Sequence, residues 1–205
     1  MFIFIETIIN RFIGDMMRTI LLFTGLPGAG KTAASSYIKS KGIPVFILGD
    51  VFREEMERRG LEFTNVNSEN IAVQLRKEEG TDVAANRTSE KLKKLDDELI
   101  CIEGARDMSE VRCLAKLGRL ILIIIDASDE IKYKRRISKT EGYKRPKNYE
   151  EFQWRTNEEL KRGLKEVVKT KEVERYVIIN NGTKEELHKK IDKLLEDLKI
   201  KMDKR

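Results

Sequence analysis

TILLFTGLPGAGKT, residues Thr19 to Thr32, is a run of apolar and β-branched residues that breaks off abruptly into glycine. It reads as a strand, a Walker A phosphate loop and the start of a helix. The spacing G-x-x-x-x-G-K-T has a physical cause. Glycines let consecutive backbone N–H groups turn inward around phosphate oxygens, and the helix that starts near Lys31 adds its positive N-terminal end. Lys31 can then reach the β- and γ-phosphates, and the Thr32 hydroxyl can ligand Mg²⁺. The candidate nucleotide-binding set is therefore Gly25, Leu26, Pro27, Gly28, Ala29, Gly30, Lys31 and Thr32, with Ala33 following on the helix.

The chain has 205 residues, enough for one domain with a sizeable core. Charged residues are 37% of it, 41 Lys+Arg against 35 Asp+Glu, for a net charge of +6. The signs are mixed along most helices, which favours a surface of interspersed ion pairs with local basic clusters for phosphate. The terminal helix alternates in charge and has no aromatic platform, so specific nucleic-acid binding is not expected. Abundant Lys, Glu and Ile with a single histidine, His188, resemble the composition of proteins from hot environments. Cys101 and Cys113 lack metal spacing and imply no disulfide framework, which fits a reducing cytoplasm. Residues 1–16 carry Ile5, Ile8, Phe12 and Met16 at helical spacing but are too short to span a bilayer. Met16 and Met17 directly precede the first strand, so this extension reads as an upstream artefact. The alternative is an amphipathic helix packed on the domain, a second subunit or a membrane surface.

After the loop, residues 31–41 read as a helix and 43–48 as a buried strand ending at Gly49-Asp50. Strand alternating with helix predicts a parallel α/β sheet whose ligands sit at the carboxyl ends of its strands. Helices are expected over 51–59, 68–79 and 81–96, capped by Asn67 or Ser68 and by Thr81 or Asp82. They form an insertion beside the phosphate loop. Further strands follow over 99–103, ending in Glu103-Gly104, and over 120–125, with Asp129 as the next helix cap. A polar loop over 140–148 leads to a helix over 149–169 carrying Trp154, read as core or lid packing. The last strand, 175–179, ends in Asn180-Asn181-Gly182-Thr183. One domain over 17–205 results, with the insertion at about 51–96, a lid at about 136–150 and five parallel strands flanked by helices on both faces.

Beyond the phosphate loop, the chain resembles nucleoside monophosphate kinases, adenylate kinase in particular. Gly49-Asp50-Val51-Phe52-Arg53 resembles the G-D-x-x-R that opens that family's acceptor-binding helices, which makes Arg53 an acceptor-phosphate ligand. Glu103-Gly104-Ala105-Arg106 is similar to its D-G-F-P-R segment, one residue shorter and with Glu for Asp. The match implies Arg106 as a second acceptor ligand and Glu103 as an outer-shell partner of Mg²⁺. Arg136 and Arg145, with Arg155 on the next helix, resemble the arginines of a short lid over the transferring phosphate. Pro146-Lys147-Asn148 stands where adenylate kinases carry an acidic pair. Asn181-Gly182-Thr183 resembles the adenine-contacting loop after the last strand. The whole pattern, from Met17 onward, is most similar to archaeal proteins described as adenylate-kinase-related or dephospho-coenzyme-A-kinase-like. Lys134 and Arg135 are read as surface residues and Arg87 as structural.

The resemblance implies a three-layer P-loop kinase fold and a Mg²⁺-dependent transfer of the ATP γ-phosphoryl to a nucleotide-type acceptor, a nucleoside monophosphate such as AMP. Cations that neutralise developing charge would carry that chemistry, with Lys31, Arg136 and Arg145 as catalytic candidates. Asp50 is either a helix-opening carboxylate or a catalytic group, since a hydroxyl acceptor such as dephospho-coenzyme A benefits from a base there. A nucleotide-binding switch or ATPase without a small-molecule acceptor is the rival of another class. A cytoplasmic monomer or homodimer with no transmembrane span is expected.

Overall fold

The central strands of this chain are dictated by short continuous runs of apolar and β-branched residues, and the sheet they build is covered on both faces. The computed structural model describes residues 18–138, 145–198 and 200. The strands are β1 (Thr19–Thr24), β2 (Val45–Ile47), β3 (Leu99–Glu103), β4 (Arg119–Asp126) and β5 (Glu174–Ile179). They pair in parallel in the order β2-β3-β1-β4-β5. The helices are α1 (Lys31–Ser40), α2 (Asp50–Arg58), α3 (Asn65–Glu79), α4 (Val83–Leu92), α5 (Met108–Ala115), α6 (Asp129–Ile137), α7 (Tyr149–Glu159), α8 (Lys165–Lys169) and α9 (Lys184–Asp197).

Period-2 alternation divides the core. Ile20, Leu22, Ile100, Ile102, Leu122 and Ile124 point to one face, with Val51 and Met56 of α2, Ile71 and Leu75 of α3 and Leu92 of α4. Leu21, Phe23, Cys101, Ile121 and Ile123 point to the other, against Ala34 and Ile38 of α1 and Leu187, Ile191 and Leu194 of α9. Helices on both faces keep the central strands dry, and that is why they read as nearly continuous apolar runs. The central strand, β1, leads directly into the phosphate loop. Its neighbours are β3 and β4, which places the loop where strand order reverses, the usual crevice for ligands in such sheets.

Several boundaries differ from the sequence reading. The second strand contracts to three residues, and Pro44 ahead of it serves only as an acceptor, from Cys101 N–H at 2.9 Å. The helix expected from 68 starts at Asn65, because the Thr64 hydroxyl accepts from Asn67 N–H and caps it. Ser128, not Asp129, caps α6. The expected helix over 149–169 is broken by a kinked turn, Leu160–Leu164, in which Gly163 takes a non-helical φ of 117°. Residues 1–16 and most of the polar loop of the expected lid lie outside the described residues. Among the described residues no helix is long and apolar enough to cross a membrane.

Candidate phosphate-transfer site

Gly25, Gly28 and Gly30 all have left-handed φ, at 139°, 89° and 107°. The conformation alone favours glycine, and packing adds to it. A Cβ on Gly25 would run into the Ile125 carbonyl oxygen, one on Gly28 would lie 2.6 Å from the Lys132 carbonyl oxygen, and one on Gly30 would meet the Asn180 amide. The loop is thus seated on β4, α6 and the end of β5. Gly30 precedes α1 with no side-chain cap, so the first N–H groups of α1 remain available to an anion. Leu26, Pro27, Ala29 and Ala33 complete the loop and the first turn, with Ala29 fully buried. Lys31 folds back along the loop, its Nζ donating to the Gly25 carbonyl at 2.7 Å and the Leu26 carbonyl at 3.2 Å. Burial, and then the positive charge of Arg106, lower its pKa from 10.5 to about 8, against the opposing pull of Glu103 and Glu159.

Glu103 ends β3 beside the loop and is 6% exposed. Its Oε1 accepts from the Thr32 hydroxyl at 2.9 Å and its Oε2 from the Ser35 hydroxyl at 2.6 Å. Both hydroxyls come from α1, so a buried carboxylate fixes the face of the helix that would bear the metal. Thr32, Glu103 and the surrounding oxygens suit Mg²⁺, a hard cation that keeps several waters and takes few protein ligands. Among the described residues no group of three or more His, Cys, Asp or Glu converges on a metal position.

The acceptor candidates lie across the loop. Gly104 N–H donates to the Phe23 carbonyl at 3.0 Å, and the Thr24 hydroxyl to the Ala105 carbonyl at 2.7 Å, so the segment before Arg106 is tied to β1. Buried Glu110 accepts from the Arg106 N–H at 2.7 Å and the Asp107 N–H at 3.3 Å, while Asp107 caps α5 in a capping box. The Arg106 guanidinium is half exposed and 3.3 Å from Glu159. Arg53 pairs with Asp50 one turn earlier on α2. Arg136 lies along the loop, its Cγ 3.1 Å from where a Gly28 Cβ would stand. Half-buried, it has its pKa lowered by burial and then by Arg155, which pairs with Glu151 at 2.5 Å. Arg145 is exposed, and among the described residues the structure gives it no hydrogen bond or ion pair. Of the expected set, the structure therefore brings Lys31, Glu103, Arg106 and Arg136 to one neighbourhood, and Arg155 next to Arg136. Arg53 and Asp50 pair with each other at the end of β2, and Arg145 is exposed.

Residues 24–153 match the AAA domain family. A UPF0200 protein of Hyperthermus butylicus is 36% identical over 181 residues, 88% of this chain and 95% of that protein. One of Methanosarcina mazei is 35% identical over 181 residues, covering 87% and 95%. This chain belongs to the UPF0200 family. Among solved structures, TT1252 from Thermus thermophilus superposes with a TM-score of 0.63 at 19% identity, over 89% of this chain and 98% of that one. Shikimate kinase from Acinetobacter baumannii superposes at 0.55 and 18% identity, over 90% and 96%. These likenesses show the P-loop kinase fold.

Two residues that brace the phosphate loop escape sequence reasoning. Arg135, read as a surface residue, donates to the Ala29 carbonyl at 3.3 Å and the Gly182 carbonyl at 3.2 Å, tying the phosphate loop to the loop after β5. Asn180 is 5% exposed and its Nδ2 donates to the Ala29 carbonyl at 2.8 Å. Asn181 next to it is exposed, and its Oδ1 accepts from the Ser128 N–H at 2.8 Å. The cue for Asn180 is its place at the carboxyl end of the last parallel strand. Arg135 offered none, because its partners are far away in sequence. Trp154, read as packed, is 63% exposed, since Phe152 takes the inward position on α7. Arg87 is structural as read, binding Glu79 and Glu55. Replacing Asn180 with Ala removes one of the two donors to the Ala29 carbonyl and leaves Arg135 as the other. Expected is a loss of about 0.5–1.5 kcal/mol in unfolding free energy, with weaker ATP binding, measurable by chemical denaturation and by calorimetric titration.

Proposed function

We propose that this protein is a Mg²⁺-dependent phosphotransferase that moves the γ-phosphoryl of ATP to a nucleotide-type acceptor, a nucleoside monophosphate such as AMP. One observation carries the reading: Arg106 stands beside Lys31 closely enough to lower its pKa, on a segment tied to β1 but outside the phosphate loop. Together with Arg53 on α2 it supplies two cations from outside the phosphate loop, the number a separate acceptor phosphate would use, whereas hydrolysis can be served by a single added arginine. In-line transfer between two phosphates needs cations on donor and acceptor, held so that the reacting oxygens align. Lys31 and the loop N–H groups would hold the donor, Arg106 and Arg53 the acceptor, with Arg136 and Arg155 over the group in transit. Thr32 and Glu103 would hold Mg²⁺, which supplies charge neutralisation on the β- and γ-oxygens. The Asp50–Arg53 pair makes Asp50 an orienting group for Arg53 on α2, which favours a phosphate acceptor, already ionised, over a hydroxyl that needs a base.

The test is a transfer assay with Mg²⁺-ATP against AMP, CMP, UMP, GMP and dephospho-coenzyme A, following ADP and the phosphorylated product separately, with Lys31→Ala as blank. Product from a monophosphate supports the reading. Product from dephospho-coenzyme A alone moves the reaction to a hydroxyl. ADP at the same slow rate with every acceptor, and no phosphorylated product, overturns transfer in favour of a switch.

ATP binding should also depend on pH in a defined direction. In the free protein the Lys31 ammonium titrates at about 8, and phosphates placed beside it raise that value. Below that pH the charge is present in both states and affinity is flat. Above it the neutral amine must take up a proton to bind, so affinity falls by up to about tenfold per pH unit. Calorimetry near pH 9 in two buffers of different ionisation enthalpy should register uptake approaching one proton. Zero uptake would remove Lys31 from the phosphates.

A further inference from the structure

Glu159, the last residue of α7, stands among cations that the reading above reserves for phosphate. Its Oε2 is 3.3 Å from the Arg106 guanidinium, and the carboxylate side chain is 18% exposed against 52% for Arg106. Its charge is also felt by Lys31 and by Arg136, in each case favouring the protonated cation. An ordinary exposed pair would join one cation to one anion and contribute little. Here one carboxylate, mostly out of water, serves the donor lysine, the acceptor arginine and a lid arginine together.

The backbone holds it there. Directly after Glu159 comes a kinked turn, Leu160–Leu164, in which Gly163 takes a non-helical φ of 117°. A Cβ on Gly163 would lie 2.8 Å from the Arg106 carbonyl oxygen and 3.0 Å from Asp107 Oδ2, so the turn rests on the backbone of Arg106 itself. Arg162, in the same turn, pairs with Glu69 of α3 at 3.0 Å. One turn thus ties the lid helix both to the acceptor arginine and to the helical insertion.

We propose that Glu159 is the resident anion of the acceptor site: it orients Arg106 in the absence of substrate and is displaced by the incoming phosphate, so that it sets acceptor affinity. A phosphate dianion and this carboxylate cannot share the Arg106 guanidinium at this distance without strong like-charge repulsion. The residue acts through Arg106 and is a positioning residue. The inference deepens the proposed transfer reaction, from which it takes the identity of the displacing group, but it needs only an anion that binds at Arg106.

The probe is therefore inorganic phosphate, titrated calorimetrically into the full chain as wild type, Glu159→Gln, Glu159→Asp and the double variant Glu159→Gln with Arg106→Ala. Gln has the same shape and lacks the charge, and should bind phosphate about 5- to 20-fold more tightly. Asp keeps the charge and should stay within about threefold of wild type. The gain should vanish in the double variant. Unchanged or weaker binding in Glu159→Gln, or a gain that survives loss of Arg106, overturns the proposal. Should Glu159→Gln not fold, Glu159→Ser is read by the same criterion. With an active acceptor from the panel, Glu159→Gln should lower its KM, which loss of a merely structural contact would not do. A phosphate gain without transfer to any acceptor sinks the transferase reading and leaves this inference standing, whereas transfer without the gain does the reverse.

Discussion

Replacing Lys31 with Met should abolish ATP binding and phosphate transfer while making the ligand-free protein more stable. The two effects have one origin. Lys31 is drawn into the loop by hydrogen bonds to the Gly25 and Leu26 carbonyls, and burial with Arg106 nearby lowers its pKa to about 8. A cation whose folded pKa lies below its unfolded value opposes folding wherever it is charged. The cost is complete below about pH 8, shrinks as pH rises toward 10.5, and is absent above that. Met keeps the apolar stem and discards the charge, at the loss of two hydrogen bonds from the ammonium. The balance should be a gain on the order of 1–3 kcal/mol at neutral pH, since each pKa unit corresponds to about 1.4 kcal/mol and the side chain is not fully shielded from water. Thermal unfolding without ligand should move up by a few degrees, and the difference from wild type should close as pH approaches 10. ATP affinity and transfer should fall by at least about 10²–10³-fold, the range for removing one preorganised charge from a reacting group. A variant less stable than wild type, or one that still binds ATP, would show that the lysine is held by the loop for structural reasons.

The order of elements was legible because hydrophobic periodicity carries it. Ile20, Leu22 and Ile102 against Leu21, Phe23 and Cys101 alternate between two buried faces, and the Gly25–Thr32 spacing leaves one place for the phosphate loop. The ends of elements were less legible, since caps are chosen by single hydrogen bonds. Thr64 takes a cap expected at Asn67 or Ser68, and Ser128 takes that of Asp129. The kink at Gly163 follows from a backbone approach to Arg106 that no local pattern encodes, although a glycine within a helical stretch was visible. In the site the same division holds. Lys31, Thr32 and Glu103 lie where strand ends and loop spacing put them. Arg135 and Glu159 act on groups more than fifty residues away in sequence, on helix faces that look like ordinary solvated surface.

Glu103→Gln should separate the metal from the nucleotide. The buried carboxylate receives the hydroxyls of Thr32 and Ser35, and a glutamine amide can keep both partners. Its oxygen accepts from Thr32, and its nitrogen donates to Ser35, which already reaches the Thr32 carbonyl at 3.2 Å. The fold should survive with stability changed by about 1 kcal/mol, so the lost negative charge can be read by itself. That charge has opposite effects on the two ligands. It attracts Mg²⁺, directly or through its waters, and it repels the triphosphate when no metal lies between them. In wild type, then, Mg²⁺ should strengthen ATP binding substantially, because it screens the nucleotide from Glu103 as well as from itself. In the variant, metal-free ATP should bind more tightly than in wild type, Mg²⁺ should add little, and transfer should drop by about 10²-fold for want of a well-placed cation. Four titrations decide it: ATP with Mg²⁺ and ATP with EDTA, each against wild type and Glu103→Gln. If Mg²⁺ strengthens ATP binding equally in both proteins, Glu103 only braces α1, and the metal is held by Thr32 and the phosphates alone.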